Sequence, residues 1–95
     1  LMRLQWADTA HEELFRAADF LDDEGMGSSA KMLEAVLSAT NLLVQHPQVG
    51  PAIMGSRIRK WPVADHPFLL LYEVDRHAIT IVRFVHNRSD WQSLL

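Results

Sequence analysis

The 95-residue chain has no cysteine. It can therefore form neither a disulfide framework nor a thiolate metal site. No apolar run approaches the ~18 residues that a bilayer span requires, and no charged-then-apolar stretch reads as a secretory leader. The expectation is a cytoplasmic protein that makes no use of a membrane. Excess positive charge is missing too: nine Lys and Arg face twelve Asp and Glu, for a net charge of −3. A protein that grips nucleic acid chiefly through phosphates normally carries the opposite balance. There is no G-x-S-x-G elbow, P-loop or dinucleotide fingerprint. No His-Glu-x-x-His spacing suggests a metal site. Neither a cofactor nor a metal is expected.

What is present is unevenly arranged. Asp8, Glu12, Glu13, Asp19, Asp22, Asp23 and Glu24 crowd the first quarter, whereas Arg57, Arg59, Lys60, Arg76, Arg83 and Arg88 lie in the second half. The average conceals a polarised molecule with room for a local basic patch. At this length the chain should be a single domain spanning 1–95, burying roughly 60–70% of its unfolded surface without staples.

Met2, Leu4 and Trp6 alternate with Arg3 and Gln5, which predicts a short strand over 2–6. Asp8 or Thr9 then supplies a helix N-cap, and Thr9 with Glu12 has the capping-box spacing. Ala10, Leu14, Ala17, Ala18 and Leu21 recur at helical intervals, giving a first helix over about 9–24. Gly25 suits its C-terminal end, and Ser28 or Ser29 suits the next N-cap. Residues 30–45 carry a wide apolar face that includes Leu33, Val36, Leu37, Thr40 and Val44, a second helix stopped by Pro47. Residues 46–56 have loop punctuation. Residues 57–63 alternate, with Arg57, Arg59 and Trp61 on one face and Ile58 and Lys60 on the other. "PFLLLYEV", 67–74, is continuously apolar like a central strand, and "DRH" connects it tightly to a strand over 78–86. The predicted order is β-α-α-β-β-β, an α+β fold with a helical hairpin on one face of a largely antiparallel sheet.

The last strand holds most of the candidate chemistry. Simple alternation places Thr80, Val82, Phe84 and His86 on one side and Ile79, Ile81, Arg83 and Val85 on the other. Arg83 then either snorkels over an apolar face or joins Arg57 and Arg59 as an anion or partner contact. His86, followed by Asn87, Arg88 and Asp90, is either a hydrogen-bonding strand terminator or an acid–base group. Tyr72, the single tyrosine, fits sheet packing better than catalysis. Trp61 and Trp91 have the character of partly exposed aromatic anchors.

In order and length the chain resembles the RelE/ParE superfamily of bacterial toxin–antitoxin toxins. The resemblance runs through "QWADTAHEEL", "LLVQHPQVG", "SRIRKWPV", "PFLLLYEVD" and "AITIVRFVHNRSDW". The last two segments carry most of it, because ParE-type members pair a Y-x-x-D strand with an ending such as I-x-R-V-x-H-x-x-R-D. The resemblance implies the fold read above and an antitoxin partner wrapping the hairpin and sheet. It also implies one of two targets. ParE-like members act on DNA gyrase by binding, whereas RelE-like members cleave mRNA on the ribosome with Lys, Arg and a C-terminal Tyr or His.

The negative charge, the missing C-terminal Tyr and the "RFVHNRSDW" ending resemble the ParE branch. A binding toxin without catalytic residues is therefore expected, with Arg57, Arg59, Arg83, His86, Arg88 and Trp91 as its target surface. The alternatives are an mRNA endoribonuclease using His86, Arg83, Arg59 and Arg57, and a non-toxic member that only binds its antitoxin.

Overall fold

A computed structural model describes residues 2–25 and 27–95. The elements follow the order β1 (Arg3–Trp6), α1 (Asp8–Glu24), α2 (Ser28–Gln45), β2 (Arg59–Pro62), β3 (Phe68–Val74) and β4 (Ala78–His86), with a 3-10 turn at Trp91–Leu94. The strands form one sheet in the order β1-β4-β3-β2. β2, β3 and β4 are antiparallel neighbours, while β1 lies parallel to β4, from Arg3 opposite Ala78 to Trp6 opposite Ile81. The expected order and α+β class are those of the structure. No helix among the described residues is long and apolar enough to cross a membrane.

The helices form where their apolar spacing predicts, but their ends differ from expectation. α1 begins after Ala7 and makes no side-chain cap, so Thr9 and Glu12 form no capping box. Asp8, in the first turn, instead sets its negative charge against the positive helix end. Ser28 and Ser29 do not cap α2, because the N-cap is Gly27, whose left-handed φ of 79° favours glycine. Gly25 ends α1 in extended backbone, its N–H donating to the Leu21 carbonyl.

The main core lies between the helices and one sheet face. Ala10, Leu14 and Ala18 of α1 and Met32, Val36, Ala39 and Leu43 of α2 pack on Leu70, Tyr72, Ile79, Ile81 and Phe84. The opposite face is not bare. Ile58, Leu71, Val85 and Trp91 form a second, smaller core there, joined by Ile53, Leu69 and Val82. The 3-10 turn folds back across the sheet and seats Trp91, whose exposure is only 6%. Trp91 is thus a core residue, not an exposed anchor. Its ring also receives Lys60 Nζ at 5.6 Å from the centroid.

Simple alternation fails in β4 because of a bulge. Leu71 pairs with Arg83 but the next residue, Tyr72, pairs with Ile81, leaving Val82 as the extra residue. Ile79, Ile81 and Phe84 consequently share the helix-facing core, while Val82 and Val85 join the other. One inserted residue lets β4 serve both cores and turns Arg83 away from its predicted row.

Candidate functional site

The bulge lies where β4 loses its neighbour. β1 ends at Trp6, opposite Ile81, and the Ala7 N–H donates to the Ile81 carbonyl before the chain turns into α1. Beyond that point the outer edge of β4 has no strand to bond. Glu13 of α1 takes its place. Its Oε1 accepts from the Phe84 N–H at 3.1 Å and from Arg83 Nε at 3.0 Å, and its Oε2 accepts from Arg83 Nη2 at 2.8 Å. This bidentate pair is mostly buried. The Glu13 hydrogen bonds hold the Arg83 proton more tightly than in a free guanidinium, outweighing the opposing effect of burial. Arg83 is neither a free snorkelling side chain nor an open anion contact: it ties α1 to the sheet.

Arg59 is similarly engaged. From the start of β2 its Nη1 donates to the Gly50 carbonyl at 2.7 Å and to the Gln48 carbonyl at 3.2 Å. The same loop is fastened from below by Tyr72, whose hydroxyl accepts from the Gly50 N–H at 3.0 Å and donates to the Pro47 carbonyl at 2.9 Å. Burial raises the Tyr72 phenol above its ordinary value, with Gly50 and Arg59 pulling the other way. Tyr72 therefore has the packing role read from its strand, together with a second role as a fastener.

Past this loop the chain doubles back, with Ile53 N–H donating to Ile58 O at 2.8 Å and Lys60 N–H to Pro51 O at 3.2 Å. The fold-back presents Arg57 to solvent. Arg57 and Arg59 line a hollow of about 600 Å³ with Gln48, Val74, Asp75 and Arg76, and Arg83, expected to join them, is not in its lining. Arg76, in the β3–β4 turn, is brought to this hollow by strand pairing, which its local sequence does not reveal. Arg57 also borders a smaller hollow of about 440 Å³, shared with Ile58, Val82, Arg83 and Leu94.

His86 and Arg88 stand elsewhere. His86 is exposed at the end of β4, edge-on to the Phe68 ring. Its Nδ1 accepts from the Arg88 N–H at 3.1 Å, and its carbonyl accepts from the Ser89 N–H and hydroxyl. That is the geometry of a hydrogen-bonding strand terminator. The Nδ1 lone pair is thereby engaged by the backbone. His86 lines none of the hollows described. The Arg88 side chain is exposed and makes no hydrogen bond among the described residues. No group of three or more His, Asp or Glu among those residues is placed to hold a metal ion.

A further groove of about 730 Å³ runs between α2 and β2, lined by Ala35, Ala39, Leu42, Trp61 and Pro62, with charged residues including Lys31 and Asp65 at its margins. It lies beside the main core and does not replace it.

A hairpin of helices over a sheet with a parallel β1–β4 pair is a fold already seen in toxin–antitoxin proteins. A solved structure described as the chromosomal ParDE TA system from P. aeruginosa superposes with a TM-score of 0.76. It is 20% identical, covering 90% of this chain and 95% of that one. No curated protein sequence matches. Residues 4–91 match the family described as the ParE toxin of type II toxin-antitoxin system, parDE. The chain belongs to this ParE toxin family.

Proposed function

We propose that this chain is a toxin that acts in the cytoplasm by binding DNA gyrase and is held inactive by a cognate antitoxin protein. Family membership over residues 4–91 supports a ParE-type toxin. The observation that carries binding over RNA cleavage is the engagement of the would-be catalytic groups. Arg83 is closed by Glu13, Arg59 holds loop carbonyls, and the His86 lone pair receives the Arg88 N–H. Phosphodiester cleavage needs a base and free cations around the developing charge. The net charge of −3 also disfavours long-range attraction of RNA.

In this reading the exposed residues contact the target at two separate places, Arg57 beside the loop that Arg59 holds, and His86 with Arg88 at the far end of β4. Arg83 contributes by fixing β4. The antitoxin occupies the groove between α2 and β2, whose apolar floor and charged margins suit an amphipathic segment. The test is induction of the chain without antitoxin, with DNA damage signalling and mRNA integrity followed in one culture. Growth arrest with gyrase-dependent DNA breaks and intact mRNA is expected. Ribosome-dependent mRNA cuts would establish an endoribonuclease instead, and undisturbed growth would establish a member that only binds its antitoxin.

A further inference from the structure

The hollow beside β2 has more positive charge than the fold uses. Arg57 reaches it from the fold-back loop, Arg59 from β2 and Arg76 from the β3–β4 turn. Three arginines and one acidic residue, Asp75, line it, an excess of two positive charges in the lining, with Glu73 beside Arg57 in the adjoining hollow. Asp75 is directed at the backbone, accepting from the His77 N–H at 2.7 Å and the Ala78 N–H at 2.8 Å. These two bonds lower its pKa, helped by the charges of His77 and Arg3. Among the described residues, Arg57 and Arg76 make no ion pair and donate no side-chain hydrogen bond. Arg59 donates through Nη1 only, leaving Nη2 and Nε without a protein acceptor among those residues.

Like charges gathered in one hollow repel each other, and an anion removes that repulsion. The form of the hollow indicates which kind. Guanidinium forks arriving from three separate elements suit separate planar carboxylates, each held by paired N–H groups. A single-stranded nucleic acid site combines a basic track with aromatic platforms for the bases. The lining here has no aromatic ring, since Tyr72 is buried beneath the loop. The acidic chain as a whole also repels a long polyanion, whereas a short acidic segment experiences mainly the local field within a Debye length.

We infer that the hollow of Arg57, Arg59 and Arg76 is a docking site for an acidic peptide segment of a protein partner, which places two carboxylates between Arg57 and Arg76. The inference rests on the reading of Arg57 as a contact residue and adds Arg76 and the chemistry of the partner. It requires no toxicity, so a binding assay on the purified chain fails or succeeds independently of growth arrest.

The experiment follows the arginine Nε–H resonances of the purified chain during titration with an oligoglutamate peptide, a short oligouridylate and inorganic phosphate. The peptide should shift Arg57 and Arg76 saturably. Its affinity should fall about tenfold in Arg57→Ala/Arg76→Ala and remain unchanged in Arg16→Ala, whose site lies on α1. Arg57→Lys/Arg76→Lys should retain only part of the affinity, because the charge remains without the fork. Peptide shifts that do not saturate, or that persist in the double alanine variant, would overturn the inference. So would tighter binding of oligouridylate at the same arginines, which would make this a polyphosphate site, or binding of phosphate alone, which would make it a small-anion site.

Discussion

Glu13 and Arg83 lie 70 positions apart and meet through paired hydrogen bonds of 3.0 and 2.8 Å. The same carboxylate takes the Phe84 N–H, so one side chain completes a sheet edge that β1 is too short to cover. With side-chain exposures of 17% for Glu13 and 27% for Arg83, solvent screens the pair only partly. Glu13→Ala should destabilise the fold by about 2–3 kcal/mol, since it strands both a guanidinium and a backbone N–H. Arg83→Ala should be milder. A double-mutant cycle in urea should give a coupling of about 1–2 kcal/mol, and a coupling near zero would show that the pair is held by its surroundings.

Tyr72 links stability to alkaline pH. Its folded-state pKa lies above the unfolded one because burial disfavours the phenolate. The contribution is therefore intact below about pH 10 and lost as pH rises through the folded value. Tyr72→Phe should weaken the fold at neutral pH by about 1–2 kcal/mol through the loss of two hydrogen bonds. It should also flatten the alkaline limb of a stability–pH curve measured by urea unfolding. An unchanged alkaline limb would exclude Tyr72 as its source.

Gly50 is required for closeness, not for an unusual φ. A Cβ at this position would lie 2.5 Å from the Lys60 carbonyl oxygen and 2.6 Å from the Tyr72 hydroxyl. The carbonyl belongs to the β2 backbone and cannot rotate away. Gly50→Ala should lower stability by about 2–3 kcal/mol and detach the loop from Tyr72. Rapid amide exchange at Gly50, with β3 still protected, would be its signature.

Trp91 closes the smaller core on Leu71 and Val85. Trp91→Ala should remove about 3 kcal/mol and speed amide exchange in the 3-10 turn more than in β4. Lys60→Ala, which removes only the cation over the ring, should change stability by under about 1 kcal/mol. Equal losses in the two variants would mean that the lysine, not the indole, holds the turn.

Much of the fold was legible because apolar spacing is a local signal. Ala10, Leu14 and Ala18 marked one helix, the continuous run 67–74 marked a central strand, and Pro47 marked a stop. Pairing across the sheet was less legible. Nothing near Arg3 indicates that it lies parallel to Ala78, and nothing near Val82 indicates a bulge, since both depend on chain brought in from far away. The helix caps misled because Thr9 and Glu12 have suitable spacing, while the helix starts one residue before Thr9 and its first turn needs neither. The alternation read for 57–63 does not explain how Arg57 and Arg59 share a hollow, since β2 begins at Arg59 and Arg57 reaches it from the fold-back loop. The place of Arg76 depends on β3 pairing with β2, which no local signal reveals. Arg83 had the right chemistry, but nothing local distinguishes its partner Glu13 from the other six acidic residues near the N-terminus.

The place of β4 in the sheet also sets the order in which the molecule can assemble. β4 is an inner strand, flanked by β1 and β3, yet it is the last of these four strands to be synthesised. Until residues 78–86 are made, β1 has no neighbour to pair with, and the helical hairpin lacks Ile79, Ile81 and Phe84 beneath it. Pairings this distant close slowly, and the hairpin's apolar face is uncovered in the meantime. A half-made chain is thus an exposed hairpin with no finished sheet. The sheet is finished only once β4 has emerged, so the hairpin's apolar face stays open to a co-produced binding protein until then.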